Sequence, residues 1–205
     1  MLGKLALYSN QYSPETDHID EALLRWLPRN ASIGYLPSGP DPHRDWFNHQ
    51  APYYGRYGFT MTYFGLQEEF DDSRLPELFG SDAIHLTGGN TFQFLHWLRE
   101  RGLIDRIRAY VHDGGVLIGA SAGSIIMTPD VATAFLCGDE PYEGMSSGAA
   151  IGLVDFEMVP HYDGSEAQLH KLLNYSLRIS LERGGDDLTR NAGTSEAVSV
   201  GWDGF

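Results

Sequence analysis

Val116-Leu117-Ile118-Gly119-Ala120-Ser121-Ala122-Gly123-Ser124-Ile125-Ile126-Met127 runs from one apolar stretch through a cluster of small residues into a second apolar stretch. The first stretch is short and β-branched, as a buried strand is, and the second continues as a helix would. The spacing therefore predicts strand, sharp turn and helix, with Ser121 at the apex. Glycines two positions to either side of the serine let strand and helix backbones pass closely at such a turn. A serine hydroxyl is a weak nucleophile until it is held exposed, near a base, at the start of a helix. Two readings of the stretch follow from the residues alone: a nucleophilic serine, or a packing turn between a strand and a helix.

Outward from this stretch the same alternation recurs. Leu5-Ala6-Leu7-Tyr8, Ile33-Gly34-Tyr35-Leu36, Phe59 to Phe64, Ala83-Ile84-His85-Leu86 and Gly115 to Gly119 read as short strands bounded by Gly, Pro, Asn or Asp. Between them Ile19, Leu23, Leu24 and Leu27, then Phe92, Leu95, Trp97 and Leu98, then Ile104, Ile107 and Val111 have helical spacing. Past Pro129 the pattern weakens, then resumes with Phe156-Glu157-Met158-Val159 as a strand, Glu166 to Leu181 as a helix and Ala197-Val198-Ser199-Val200 as a strand. The expectation is a single α/β domain over 1–205, a mostly parallel doubly wound sheet with functional groups at the carboxyl ends of its strands.

Composition narrows the function classes. Fourteen Lys and Arg against 28 Asp and Glu give a net charge of -14, which repels phosphate backbones and anionic membrane surfaces, so no nucleic acid and no membrane is expected as a partner. No apolar run approaches the ~20 residues a spanning helix needs. The one cysteine, Cys137, has no partner for an internal disulfide, and the amino terminus has neither a basic leader nor a long apolar segment, so the expected compartment is the cytoplasm.

Three further groups bear on Ser121. Thr87-Gly88-Gly89-Asn90-Thr91 follows one strand and opens a helix. Its glycines would let a backbone N–H approach a substrate carbonyl, with the Ala122 amide as a second donor. The same loop would also serve as a plain turn or a phosphate cradle, although it lacks Gly-x-Gly-x-x-Gly spacing and a following Lys-Ser/Thr. His161, in Val159-Pro160-His161 at an expected strand end, is the candidate base, and His170 in the next helix an alternative. His85, His96 and His112 fall inside regular elements and read as structural. For a carboxylate that would orient the imidazole, Asp163 lies two residues past His161 and Glu196 opens the last strand. No His-Glu-x-x-His and no cysteine cluster is present, so neither metal nor other cofactor is expected.

Together these segments resemble peptidase family S51, the family of peptidase E, with cyanophycinase as a more distant member. Leu7-Tyr8-Ser9-Asn10 is similar to the family's first strand and turn. Gly88 to Gln93 with Arg99-Glu100-Arg101-Gly102-Leu103 resembles its oxyanion loop and helix, Ile118 to Gly123 its nucleophile elbow, and Pro160-His161-Tyr162 its histidine segment. The resemblance implies a flavodoxin-like fold related to class I glutamine amidotransferases and metal-free hydrolysis of short peptides such as Asp-X dipeptides. By the same resemblance Ser121 is the nucleophile, His161 the base, and Gly89 and Ala122 the oxyanion donors. Asn10, Gly88 and Asn90 are its candidate substrate contacts.

The chain departs from the family pattern at two places. Thr194 stands at the usual acid position, with Glu196 two residues later on the same strand face. The helix after His161 offers only His170 and Lys171 before Arg178, where an aspartate side chain would need a cation, ideally arginine. A non-catalytic binding protein of the same fold, and a peptidase or amidase of other specificity such as a carboxypeptidase, are the alternative functions. The Gly-, Ser- and acid-rich segment 129–152 is a candidate gate or an ordinary flexible loop.

Overall fold

The parallel sheet expected from the alternation forms with strand order β3-β2-β4-β5-β1-β6. The computed structural model of the protein describes residues 3–145, 148–182 and 196–199, with residues 177–182 and 196–199 described by their backbone alone. The strands are β1 (Lys4–Tyr8), β2 (Ser32–Leu36), β3 (Thr60–Tyr63), β4 (Ala83–Leu86), β5 (Val116–Ala120) and β6 (Glu196–Ser199). Every described pairing among them is parallel. The helices are α1 (Asp17–Trp26), α2 (Asp45–Gly55), α3 (Leu75–Phe79), α4 (Thr91–Glu100), α5 (Leu103–His112), α6 (Ala122–Ile126) and α7 (Glu166–Glu182). Among the described residues no helix is long and apolar enough to cross a membrane.

Strand periodicity sorts the core into two layers. Leu5 and Leu7 of β1 join Ile84, Leu86 and Leu117 in one cluster with Phe92, Leu95, Ile107 and Ile125. Ala6 and Tyr8 face the other way, joining Ile33, Ile118, Ile19, Leu23 and Tyr54. Successive side chains of a strand point to opposite faces, so α1 and α2 cover one face and α3 to α6 the other. On the α1–α2 face the buried Asp20 accepts hydrogen bonds from the hydroxyls of Tyr8, Tyr53 and Tyr57 and from Arg56, between 2.7 and 2.9 Å. This carboxylate ties α1, β1 and the end of α2 together, and a buried charge is tolerable only when so fully bonded.

The connection from β2 runs outward to β3, and that from β4 runs the opposite way to β5. Their loops diverge and leave a crevice at the carboxyl end of the sheet, the usual place for a ligand in an open α/β fold.

Two departures from the sequence expectations concern the site. Phe156 to Val159 is not a strand. Its alternation reflects one buried side chain, Met158, packed on the core while Phe156 stays exposed. The place beside β1 that a further strand would need is taken by β6. Segment 129–152 is not a free loop over its described residues. Val131, Ala134, Ala150 and Ile151 are buried in the core, Arg99 donates to the Ala149 carbonyl at 2.6 Å, and Arg108 donates to those of Ala150 and Ile151.

Candidate active site

The turn between β5 and α6 holds Ser121 at φ 52° and ψ -112°, a region that side chains other than glycine rarely occupy and that costs about 1–3 kcal/mol. The surroundings determine this strain. The Ser121 N–H donates to the Tyr8 carbonyl at 2.9 Å and the Gly123 N–H to the Thr87 carbonyl at 3.0 Å. The buried Ser124 hydroxyl bonds the Tyr8 and Gly119 carbonyls. A Cβ on Gly119 would lie 2.7 Å from the Gly123 carbonyl, and one on Gly123 would strike the Leu86 carbonyl. Both glycines are thus required by close approach of backbone to backbone, as the spacing suggested.

Ser121 Oγ lies 2.7 Å from His161 Nε2. His161 is itself in the left-handed region, at φ 61°. Its N–H donates to Ser9 Oγ at 2.8 Å, and its carbonyl accepts from Gln168 Nε2 of α7. The loop after β1 and the start of α7 therefore fix the histidine, which does not end a strand. Partial burial lowers its pKa below the ordinary 6.5, with the Asp139 charge pulling the other way. The imidazole is accordingly neutral at neutral pH, the form able to accept a proton.

Around the serine, the loop after β4 is zipped to the loop after β2. Ser38 N–H donates to Thr87 Oγ1 at 2.9 Å, and Ser38 Oγ and Thr87 Oγ1 both donate to the Gly88 carbonyl, at 2.6 and 2.9 Å. In a trans peptide the carbonyl and the following N–H point in opposite directions, so this clamp turns the Gly89 N–H away from Ser38. Gly89 sits at φ 127°, with Ser38 Oγ where a Cβ would be. Among the described residues, neither the Gly89 N–H nor the Ala122 N–H donates to a protein acceptor.

The candidate carboxylates lie elsewhere. Asp163 accepts from the Ser165 N–H at 2.7 Å, and the Ser165 side chain first and this backbone bond second hold its carboxyl below the usual range. It starts the turn into α7 and makes no hydrogen bond to His161. Glu196 pairs with Lys4, whereas Ser121 follows Ala120, the partner of Tyr8. Four strand steps put the Glu196 backbone about 13 Å from the serine edge of the sheet. The Glu196 side chain and Thr194 lie outside the described residues. A carboxylate that the sequence reading did not name is Asp139, whose charge acts on His161 and whose Oδ2 accepts the Thr91 N–H at 2.8 Å. It comes from within segment 129–152 and has no motif around it, so only the fold could reveal it.

A cavity of about 440 Å³ opens beside the pair, lined by Ser121, His161, Asn10, Gly88 and Gly89 and by the α2 side of the crevice, within the range usual for small-ligand sites. Asn90 is not at this cavity. Its Oδ1 caps α4 through the Gln93 N–H, and its Nδ2 donates to the Glu140 carbonyl. His170 and Lys171 are exposed on α7 and do not line the cavity, and the side chain of Arg178 lies outside the described residues. Among the described residues no group of three or more His, Cys, Asp and Glu converges on a metal position.

Comparison with known proteins agrees with this architecture. The sequence profile described as peptidase family S51 matches residues 5–178. Peptidase E of Streptomyces coelicolor is 29% identical over 172 residues, taking in 82% of this chain and 68% of that protein. Peptidase E of a Nostoc species is 36% identical over 107 residues, 50% of this chain and 43% of that protein. The alignments span about half or less of the length of most curated relatives. Among solved structures, a peptidase from an acI-B1 actinobacterium superposes with a TM-score of 0.63 at 19% identity, covering 84% of this chain and 76% of its own. A Listeria monocytogenes protein assigned to peptidase E only provisionally does so with 0.67 at 19% identity, over 98% and 91%. At such identity these superpositions speak for the fold, and the profile match across most of the chain speaks for descent: the chain belongs to peptidase family S51.

Proposed function

We propose that this protein is a serine peptidase of short peptides that works through an acyl-enzyme on Ser121. The observation that carries the reading is the 2.7 Å contact between Ser121 Oγ and His161 Nε2 at a strained elbow, beside two unengaged backbone N–H groups. Family membership supports the reaction class. In this reading His161 Nε2 takes the hydroxyl proton while Oγ attacks the scissile carbonyl carbon. The tetrahedral oxyanion accepts from the Gly89 and Ala122 N–H groups. The proton then passes from His161 to the leaving nitrogen as the C–N bond breaks. Water, deprotonated by the same imidazole, attacks the ester and restores the serine.

A base at Nε2 must carry its own proton on Nδ1. No described residue accepts a hydrogen bond there, so the charge of Asp139 is the described group that stabilises the imidazolium. Cleavage of Asp-X dipeptides, the specificity of peptidase E itself, finds no support in the cavity, whose lining contains neither Lys nor Arg among the described residues.

The test is release of amino acids from a panel of free dipeptides, N-blocked dipeptides and longer peptides, with the wild type and Ser121→Ala in parallel. We expect wild-type hydrolysis of free dipeptides and a loss of at least 10³-fold in the variant. A fluorophosphonate that labels neither Ser121 nor any other residue, together with no hydrolysis, would return the chain to the non-catalytic alternative.

A further inference from the structure

The cavity floor contains a polar chain that the reaction does not use. Gln50 Nε2 donates to Gln11 Oε1 at 2.8 Å, and Gln11 Nε2 donates to Tyr54 Oη at 2.9 Å. Tyr54 Oη lies 2.7 Å from His85 Nδ1. Each link fixes the direction of the next. A tyrosine hydroxyl has one proton. Tyr54 Oη accepts from Gln11, and among the described residues its own proton has no acceptor but His85 Nδ1, so it goes there. His85 is 1% exposed, and burial pushes its pKa down to about 3, so the ring is neutral and its single proton must sit on Nε2.

Nε2 makes no hydrogen bond among the described residues. The buried side-chain atoms left unpartnered there are Thr91 Oγ1, Trp97 Nε1 and Thr133 Oγ1. His85 Nε2 is not one of them, and His85 lines the cavity. The ring is clamped parallel to Tyr35 at 5.6 Å, 5° between planes, so the donor is preset as well as fixed in kind. The sequence reading took His85 as structural from its place in β4. Its Nδ1 side is held by Tyr54, and its Nε2 side by no described residue.

The charge of the lining sets the complement. Among the described residues its ionisable side chains are Tyr35, Asp41, His49, His85 and His161. Asp41 is 5% exposed, and its carboxylate accepts the Phe47 and Trp46 N–H groups at the start of α2. A second carboxylate brought into the cavity meets this like charge, and among the described residues no Lys or Arg lines the cavity to offset it, Arg44 beside Asp41 being paired with Glu69.

We propose that this cavity selects, on the acyl side of the scissile bond, a residue with an uncharged hydrogen-bond-accepting side chain, the amide of asparagine or glutamine, whose carbonyl oxygen takes the His85 Nε2–H. An aliphatic side chain leaves that donor unpaired, and an aspartate adds charge beside Asp41. The proposal rests on the serine peptidase reading for its orientation in the cavity, and its test separates the two.

Binding of Asn-Leu, Asp-Leu and Leu-Leu is measured by calorimetry at neutral pH on Ser121→Ala, which removes turnover. We expect Asn-Leu to bind about tenfold tighter than either of the others, the worth of one well-made hydrogen bond. His85→Phe in the same background keeps the flat ring and removes the donor. It is expected to weaken Asn-Leu about tenfold and Leu-Leu by less than about threefold. Asp-Leu binding as tightly as Asn-Leu, or equal weakening of all three peptides, overturns the proposal. Should His85→Phe not fold, nitrogen-15 histidine spectra of Ser121→Ala give the same decision. An Nε2–H tautomer whose signal moves on adding Asn-Leu supports the assignment, and an Nδ1–H tautomer or an indifferent signal ends it. Wild-type turnover without preference for Asn-Leu removes this inference alone, whereas Asn-Leu binding without wild-type turnover removes the peptidase mechanism and leaves the recognition.

Discussion

At Ser121 and His161 a local signal and a tertiary requirement coincide. The flanking glycines of Ser121 announced a tight turn, and the structure gives their reason in the contacts with Gly123 and Leu86. His161 was singled out as the end of an expected strand that does not form and by the resemblance of Pro160-His161-Tyr162, and only the fold brings it to Ser121. Asp139 was not singled out, because its relation to His161 crosses from one loop to another. This relation has a measurable sign. His161 must be neutral to act as base, so kcat/KM rises with pH through its pKa, and burial places that limb below 6.5. Asp139 opposes the lowering. Asp139→Asn, which retains an oxygen for the Thr91 N–H, is therefore expected to move the acid limb to still lower pH. It should also slow turnover at the plateau by about tenfold or more, since the imidazolium formed in the reaction loses the carboxylate whose charge favours it. A pH–rate profile checks both, and an unmoved limb would show that Asp139 only caps α4.

At the scale of elements, the strand–turn–helix around Ser121 was readable because its whole pattern lies within twelve consecutive residues. Segment 129–152 was not. Its Gly- and Ser-rich composition suggests freedom, yet Arg99 and Arg108, from α4 and α5, hold it by its carbonyls. Composition reports what a segment does alone and is silent on distant donors. Phe156 to Val159 failed for a related reason, since alternation identifies a half-buried extended chain but not a vacant sheet edge to receive it. Within the elbow, Gly123→Ala is expected to destabilise the protein by about 3 kcal/mol or prevent folding, because the Leu86 carbonyl occupies the methyl position and both atoms belong to rigid elements. Chemical denaturation checks it, and a cost under about 1 kcal/mol would mean that α6 can shift away from β4.

Over the whole molecule, the parallel sheet was legible from alternation alone, whereas the strand order that opens the crevice between β2 and β4 was not, because order depends on pairings far apart in sequence. The same burial that makes His85 a neutral donor also gives the fold a pH dependence. The folded-state pKa of about 3 lies below the ordinary 6.5. The stabilisation that comes from keeping this ring neutral is therefore complete above about 6.5 and is lost progressively as pH falls toward 3, because the unfolded chain takes up the proton first. The slope from this one group is at most about 1.4 kcal/mol per pH unit. Denaturant titrations at pH 7, 6 and 5 are expected to show that decline, and His85→Phe to flatten it by about one proton. A variant with the wild-type slope would place the proton uptake elsewhere.

The crevice between β2 and β4 separates two trades along the chain. Tyr35, Asp41, Trp46 and Gln50, which line its far side, come from β2 and the stretch leading into α2, while Ser121 and His161 follow β5 and precede α7. The groups that would cut a peptide thus sit past β5, whereas those that would choose it come from β2, α2 and His85 of β4, and the Ser38 clamp on Gly88 joins the two sides of the crevice. Such a layout is not modular in inheritance: the block from β2 to β3 is bound to the rest of the fold through the Asp20 bonds of Tyr53 and Tyr57, the Tyr54–His85 contact and the Ser38 clamp, so a change in what the crevice accepts has to keep all three.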